Sequence, residues 1–127
     1  MADNDLALLA HLLRRAGFGA TREELEAYAA KGYTAVVDEL LHPERCPDVA
    51  EDVVCRYYSL GTLMEDSPTV WQGRWIYRMI NSTRPLQEKM ALFWHGVFAT
   101  GWHKSEHTPS MALQIDLFRR NGLSDIK

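Results

Sequence analysis

No stretch of this 127-residue chain approaches the roughly 20 consecutive apolar residues that a membrane-spanning helix needs, which argues against an integral helical membrane protein. Positive charge is also short. Against 17 Asp and Glu stand 14 Lys and Arg, a formal net charge of -3, so the global electrostatic footprint of a nucleic-acid or anionic-membrane binder is missing. Cysteine is limited to Cys46 and Cys55. Their spacing fits neither a thioredoxin-type pair nor a zinc ribbon, and two cysteines make no disulfide framework, so a reduced pair is expected. Strict apolar-polar alternation is absent, and with it the signal for strands. A Gly-rich phosphate loop and a nucleophile elbow are absent too, which leaves Ser59, Ser67, Ser82, Ser105, Ser110 and Ser124 without a catalytic context. The N-terminus, MADNDLALLAHLLRRAGFG, places acids before a short apolar run and arginines after it, the reverse of a secretory signal. As written, the chain is expected to be cytoplasmic.

What is present is helix punctuation. Apolar residues recur at three and four residues, and 46% hydrophobic content suits one domain with a continuous core. The fold class expected is all-α, with about seven helices in a single domain over residues 1–127. Asp3 or Asn4 caps the first, which carries Leu6, Leu9 and Leu13 inward and stops at Gly17. A Thr21–Glu24 capping box opens the second, ending at Gly32. Thr34 starts the third, with Val37, Leu40 and Leu41 inward, closed by Pro43 and Pro47. Between Pro47 and Gly61 the fourth uses Val49, Val53, Val54 and Tyr57. Ser67 and Pro68 begin the fifth, which runs to about Asn81; the sixth starts near Arg84 or Pro85 and weakens by Gly101. Thr108 and Pro109 begin a seventh through Arg120, with Gly122 as its stop.

The segment from Pro85 to Trp102 sets Glu88 and His95 among four aromatic residues. Seven residues on a helix is close to two turns, so both groups share a face, with heads able to converge on a third group. A buried carboxylate needs a partner or a cation, and an imidazole beside it suits a metal ligand set or an acid/base site. The alternative is structural: Glu88 bonds Lys89, Arg84 or an adjacent helix, and His95 is a satisfied core histidine. His11 precedes Arg14 and Arg15 on the first helix, which reads either as an anion clamp with His11 turned toward the pocket of His95, or as basic groups complementing a helix C-terminus. His103 and His107 have HxxxH spacing, but Thr108–Pro109 starts a helix directly after them, so the residues between are expected to be loop. Arg74 and Arg78 lie one turn apart near Trp71, Trp75 and Tyr77. Such a mixture could stack single-stranded nucleic acid, or it could be arginines snorkelling to water beside inward rings, and the acidic balance favours the second.

HLLRRAGFG at 11–19, WIYRM at 75–79, RPLQEKMALFWHGVFATG at 84–101 and QIDLFRRNGL at 114–123 together resemble a large bacterial family catalogued as domain of unknown function 1800. The resemblance runs along nearly the whole chain. It implies a helical protein several times longer, with a later asparagine-glutamate-asparagine segment and an arginine-glutamate helix in the same core. The family's tryptophan-histidine pair falls on Trp94 and His95, its glutamate-lysine-methionine on Glu88, Lys89 and Met90, and its first histidine with two arginines on His11, Arg14 and Arg15. Many relatives carry a further histidine where this chain has Val97. Members are often exported.

Two functional expectations follow. In the first, the chain is the N-terminal helical portion of a metal-dependent hydrolase or oxidase, with His95, Glu88 and His11 as ligands of a divalent transition metal and Arg14 or Arg15 holding an anionic substrate. In the second, it is a non-catalytic protein-protein interaction module. Seven of the 13 aromatic residues fall between Trp71 and Trp102, more ring area than two neighbouring helices usually bury alone. The closing LSDIK completes no element. The partner expected is therefore the remaining portion of a larger domain or another protein, not nucleic acid and not a membrane.

Overall fold

A computed structural model describes residues 2–57, 67–98 and 100–124, excepting the side chains of residues 2, 3 and 57. These residues form eight α-helices and a 3₁₀ turn at Pro43–Arg45: α1 (Ala2–Ala16), α2 (Arg22–Lys31), α3 (Tyr33–Leu41), α4 (Glu51–Tyr57), α5 (Pro68–Asn81), α6 (Pro85–Val97), α7 (Trp102–Ser105) and α8 (Thr108–Asn121). The fold is all-α. Seven helices correspond to those expected from the sequence, and the addition is α7, a single turn where loop was expected. Ser59, the end of the expected fourth helix and most of the terminal LSDIK lie outside the described residues.

Local chemistry sets most boundaries. At α2 the Thr21 hydroxyl accepts from the Glu24 amide at 3.3 Å, and the Glu24 carboxylate accepts from the Thr21 amide at 2.7 Å, a complete capping box. Gly32, at φ 88°, ends α2 and starts α3 in one residue, a left-handed backbone that glycine reaches without Cβ strain. The expected starts shift at three helices: α3 begins at Tyr33, with Gly32 rather than Thr34 as the residue before it. Helix α1 already begins at Ala2, so Asp3 and Asn4 lie within its first turn. At α8 the cap is His107, whose ring accepts from the Ser110 amide, while the Thr108 hydroxyl is used by the Trp102 indole N–H at 3.1 Å. A hydroxyl bonded across to α7 is no longer the one that caps its own helix.

The main apolar cluster is Leu9 and Leu13 of α1 with Val36 and Leu40 of α3, flanked by Leu25 and Tyr28 of α2 and Leu86 of α6. Fully burying each such aliphatic side chain is worth about 1.5–3 kcal/mol. The inward face of α3 is one residue earlier than its pattern suggested: Val36 and Leu40 are buried, whereas Val37 and Leu41 are not, and Leu41 is 56% exposed. Helix α6 packs on α1 and α3 on one side and on α5 and α8 on the other. Its approach to α1 is close enough that a Cβ on buried Gly17 would stand 3.0 Å from the Pro85 Cβ. On its other side, Phe98 stacks on Phe118, and the Trp94 indole N–H donates to the Gly122 carbonyl at 3.0 Å, fixing α6 to the end of α8. The segment before α4 is held to the start of α6 by Arg84, which donates from Nε and Nη2 to the Cys46 carbonyl at 2.8 and 2.6 Å. That tether brings Asp48 and Glu51 over α5.

Candidate functional site

Three helices meet at Glu88. Its side chain is 1% exposed, and both oxygens are bonded: Arg119 of α8 donates from Nε to Oε1 at 2.6 Å and from Nη2 to Oε2 at 3.3 Å, while the Trp75 indole of α5 donates to Oε2 at 3.1 Å. Asp116 takes the remaining arm of Arg119 at 3.2 Å. A buried carboxylate in a bidentate guanidinium grip is the arrangement that offsets desolvation of both charges. His95 lies on the same side of α6, its ring edge-on to Trp75 with centroids 5.4 Å apart. Its Nδ1 is buried without a hydrogen-bond partner among the described residues. Glu88 and His95 thus converge on one indole, as a two-turn spacing allows, but the carboxylate is fully used and the imidazole is not.

His95 opens on a cavity of about 800 Å³ between the α4 segment, α5 and α8, lined also by Trp71, Trp75, Trp102, Met111 and Ile115. One wall is cationic. Arg74, 8% exposed, bonds Glu51 through Nη2 and stacks over the Trp71 ring at 4.7 Å, and its Nη1 is buried with no partner among the described residues. Arg78 bonds Glu51 and, at 3.1 Å, Asp48; Arg84 lies 3.8 Å from Asp48. Burial works against the charge of Arg78, and the hydrogen bond and charge of Glu51, with Asp48 and Glu88, more than offset it, so its guanidinium is held above the ordinary value. The two acids are about half exposed while the arginines they meet are largely buried. Arg74 and Arg78 therefore do not snorkel to water; they turn inward to acids from the α4 segment.

The sequence model of the family described as "Protein of unknown function (DUF1800)" matches residues 11–126. The chain belongs to that family. No curated protein and no solved structure matches it.

Within this DUF1800 chain the candidates expected from the sequence separate into two groups. Glu88 and His95 are brought together on Trp75. His11, Arg14 and Arg15 are exposed on α1 and do not line the cavity. Among the described residues no group of three or more His, Cys, Asp and Glu is placed to hold a metal ion. His103 sits on α7 and His107 beyond it, separated by Glu106 in the left-handed region at φ 48°, so the pair shares no helix face. Cys46 and Cys55 are free. Among the described residues no helix is long and apolar enough to cross a membrane.

The residues that sequence reasoning passed over are Arg119 as the partner of Glu88, Glu51 and Asp48 as partners of Arg74 and Arg78, and Arg84 as a tether. One signal was available: PTVWQGRWIYRMIN contains two arginines and no acid, so neither cation can be paired within its own helix. The partners 23 to 30 residues earlier carry no local mark.

Proposed function

We propose that this helical domain is a ligand-binding unit whose site is the cavity between the α4 segment, α5 and α8. The observation that carries this reading is the cavity itself, about 800 Å³, whose lining combines the rings of Trp71, Trp75 and Trp102 with the largely buried Arg74, stacked on Trp71 and ion-paired to Glu51. A concave site of this size, with aromatic walls and a few buried charged groups, has the form of a small-molecule site. The test uses the neutral dye N-phenyl-1-naphthylamine. Its fluorescence should rise on mixing with the chain, and Ala112→Trp, which fills the cavity from α8, should abolish that rise while the helical circular dichroism is unchanged. Equal dye uptake by Ala112→Trp would remove the cavity as the binding site.

The metal-dependent hydrolase or oxidase expected from the sequence finds less support in the geometry. His95 has a buried nitrogen free to act, but Glu88 is spent on Arg119 and Trp75, and His11 is exposed on α1. The interaction-module reading rests on a separate observation: Phe93 and Val97 of α6, the Phe98 that caps it, and Leu113 and Leu117 of α8 are each more than half exposed. Apolar area of that extent on two adjacent helices marks a surface suited to a protein partner.

A further inference from the structure

Every guanidinium that lines the cavity is already engaged within the chain. Arg74 bonds Glu51, and Arg78 bonds both Glu51 and Asp48. Arg84 donates twice to the Cys46 carbonyl, at 2.8 and 2.6 Å. Arg119 grips Glu88 and reaches Asp116, which also takes Arg120. Two of the indoles are spent as donors in the same way: the Trp75 N–H goes to Glu88 and the Trp102 N–H to Thr108, both at 3.1 Å. What these two rings offer a ligand is therefore carbon surface, continued by Met111 and Ile115. The side chains of Gln72 and Gln87 line the cavity without a hydrogen bond among the described residues, and both are neutral carboxamides.

We infer that the cavity takes an uncharged molecule with a flat apolar body, which lies against Trp75, Trp102 and Ile115, and that it discriminates against ligands carrying either sign of charge. This rests on the cavity being the ligand site, as proposed above. An anion entering the cavity gives up its hydration, and to offset that loss it must draw an arginine away from a carboxylate or carbonyl that the chain supplies. A cation meets the converse obstacle, because the acids of the lining are held by those same arginines. A neutral ligand disturbs none of these bonds. Glu51 is central to the exclusion of anions: it joins Arg74 and Arg78, is about half exposed, and so stands where an anionic ligand would have to bind.

Calorimetric titration of the 127-residue chain with 2-naphthamide, 2-naphthoate and 2-naphthylmethylammonium tests the assignment, since the three share one flat body and differ in charge. The amide should bind roughly 10-fold or more tighter than either ion. Glu51→Gln, which leaves Arg74 and Arg78 without their shared acid, should tighten naphthoate several-fold without changing the amide. The comparison within the unaltered chain stands even if Glu51→Gln fails to fold. Naphthoate or the ammonium binding as tightly as the amide overturns the neutral-ligand assignment while leaving the cavity as a ligand site. No gain for naphthoate in a folded Glu51→Gln chain overturns the exclusion by Glu51. Binding of none of the three removes the cavity reading together with this one.

Discussion

Arg119 of α8 and Glu88 of α6, 31 residues apart in sequence, form a bidentate ion pair in which the carboxylate is 1% exposed and the guanidinium is 12% exposed. The Trp75 indole closes the remaining access to Oε2. This knot joins three helices through charged groups rather than through an apolar cluster, and its energetics are correspondingly asymmetric. Removing one partner leaves a buried charge; removing both leaves a hole that apolar atoms can fill.

Glu88→Ala or Arg119→Ala should each destabilise the chain by about 3–5 kcal/mol, and Glu88→Leu combined with Arg119→Met should cost less than either. Urea unfolding of the three variants measures this. A Glu88→Ala chain as stable as the parent would mean that the carboxylate is not held as described and would free it for chemistry.

Trp75→Phe keeps an aromatic ring against His95 while deleting the N–H that reaches Glu88. A hydrogen bond to a charged acceptor is worth about 1.5–3 kcal/mol, and a loss in that range is expected. The readout is the shift in denaturant midpoint, with the slope unchanged. No shift at all would show the indole donor to be dispensable and the grip of Arg119 sufficient by itself.

Gly17→Ala places a methyl 3.0 Å from the Pro85 Cβ and 3.1 Å from the Leu13 carbonyl oxygen. Neither neighbour is the end of a flexible side chain, so relief takes a backbone movement of a few tenths of an ångström, at a cost of about 1–3 kcal/mol by analogy with overpacked cores. Thermal unfolding followed by circular dichroism reports it. A neutral or stabilising substitution would show that the two helices are less closely seated than the distances indicate.

Alkaline pH should weaken the α2–α3 corner. The Tyr28 phenol is raised from 10.0, chiefly because burial disfavours phenolate and then because Glu39 is near; the Lys31 ammonium is raised from 10.5, chiefly by its hydrogen bond to Glu39 at 2.7 Å. For both groups the folded state holds its proton more tightly than the unfolded state. Their contribution is therefore complete below the unfolded values and is lost as pH rises through the folded ones. The melting temperature should fall as pH rises above about 10, and Tyr28→Phe should fall less steeply, since one of the two titrations is gone. Parallel slopes for parent and variant would assign the loss to other groups.

The exposed α6–α8 face should drive association. Phe98 is 56% and Leu113 is 70% exposed. Sedimentation velocity is expected to show the chain self-associating as concentration rises, and Phe93→Glu with Leu117→Glu to shift it toward monomer without loss of helix. A sharp monomer at every concentration in the parent would argue that this face is tolerated in water.

How much of this was readable before folding differs from element to element. The capping box at Thr21 and Glu24 and the stop at Gly32 were legible because the groups that bond lie within one helical turn of each other. The register of α3 was misread by one residue because YTAVVDELL offers two overlapping apolar faces, and only the position of α1 selects Val36 over Leu41. Thr108 looked like a cap by type and position, and the indole of Trp102, which no local rule places, took its hydroxyl. For the site, the two-turn spacing of Glu88 and His95 correctly placed them on one face. What lay opposite that face was not contained in the spacing.

Sequence by itself determined that this chain is helical, that it belongs with the DUF1800 family, and that Glu88 and His95 lie on a common helix face, because hydrophobic period, capping and helical pitch all act within a few residues. Tertiary structure alone decided that Glu88 is consumed by Arg119 and Trp75, that His11, Arg14 and Arg15 stand apart on α1, and that Arg74 turns inward to Glu51 at the wall of a cavity. The physical reason is that a buried charge takes whichever partner packing delivers, and in this fold those partners come from segments that are 23 to 31 residues away along the chain.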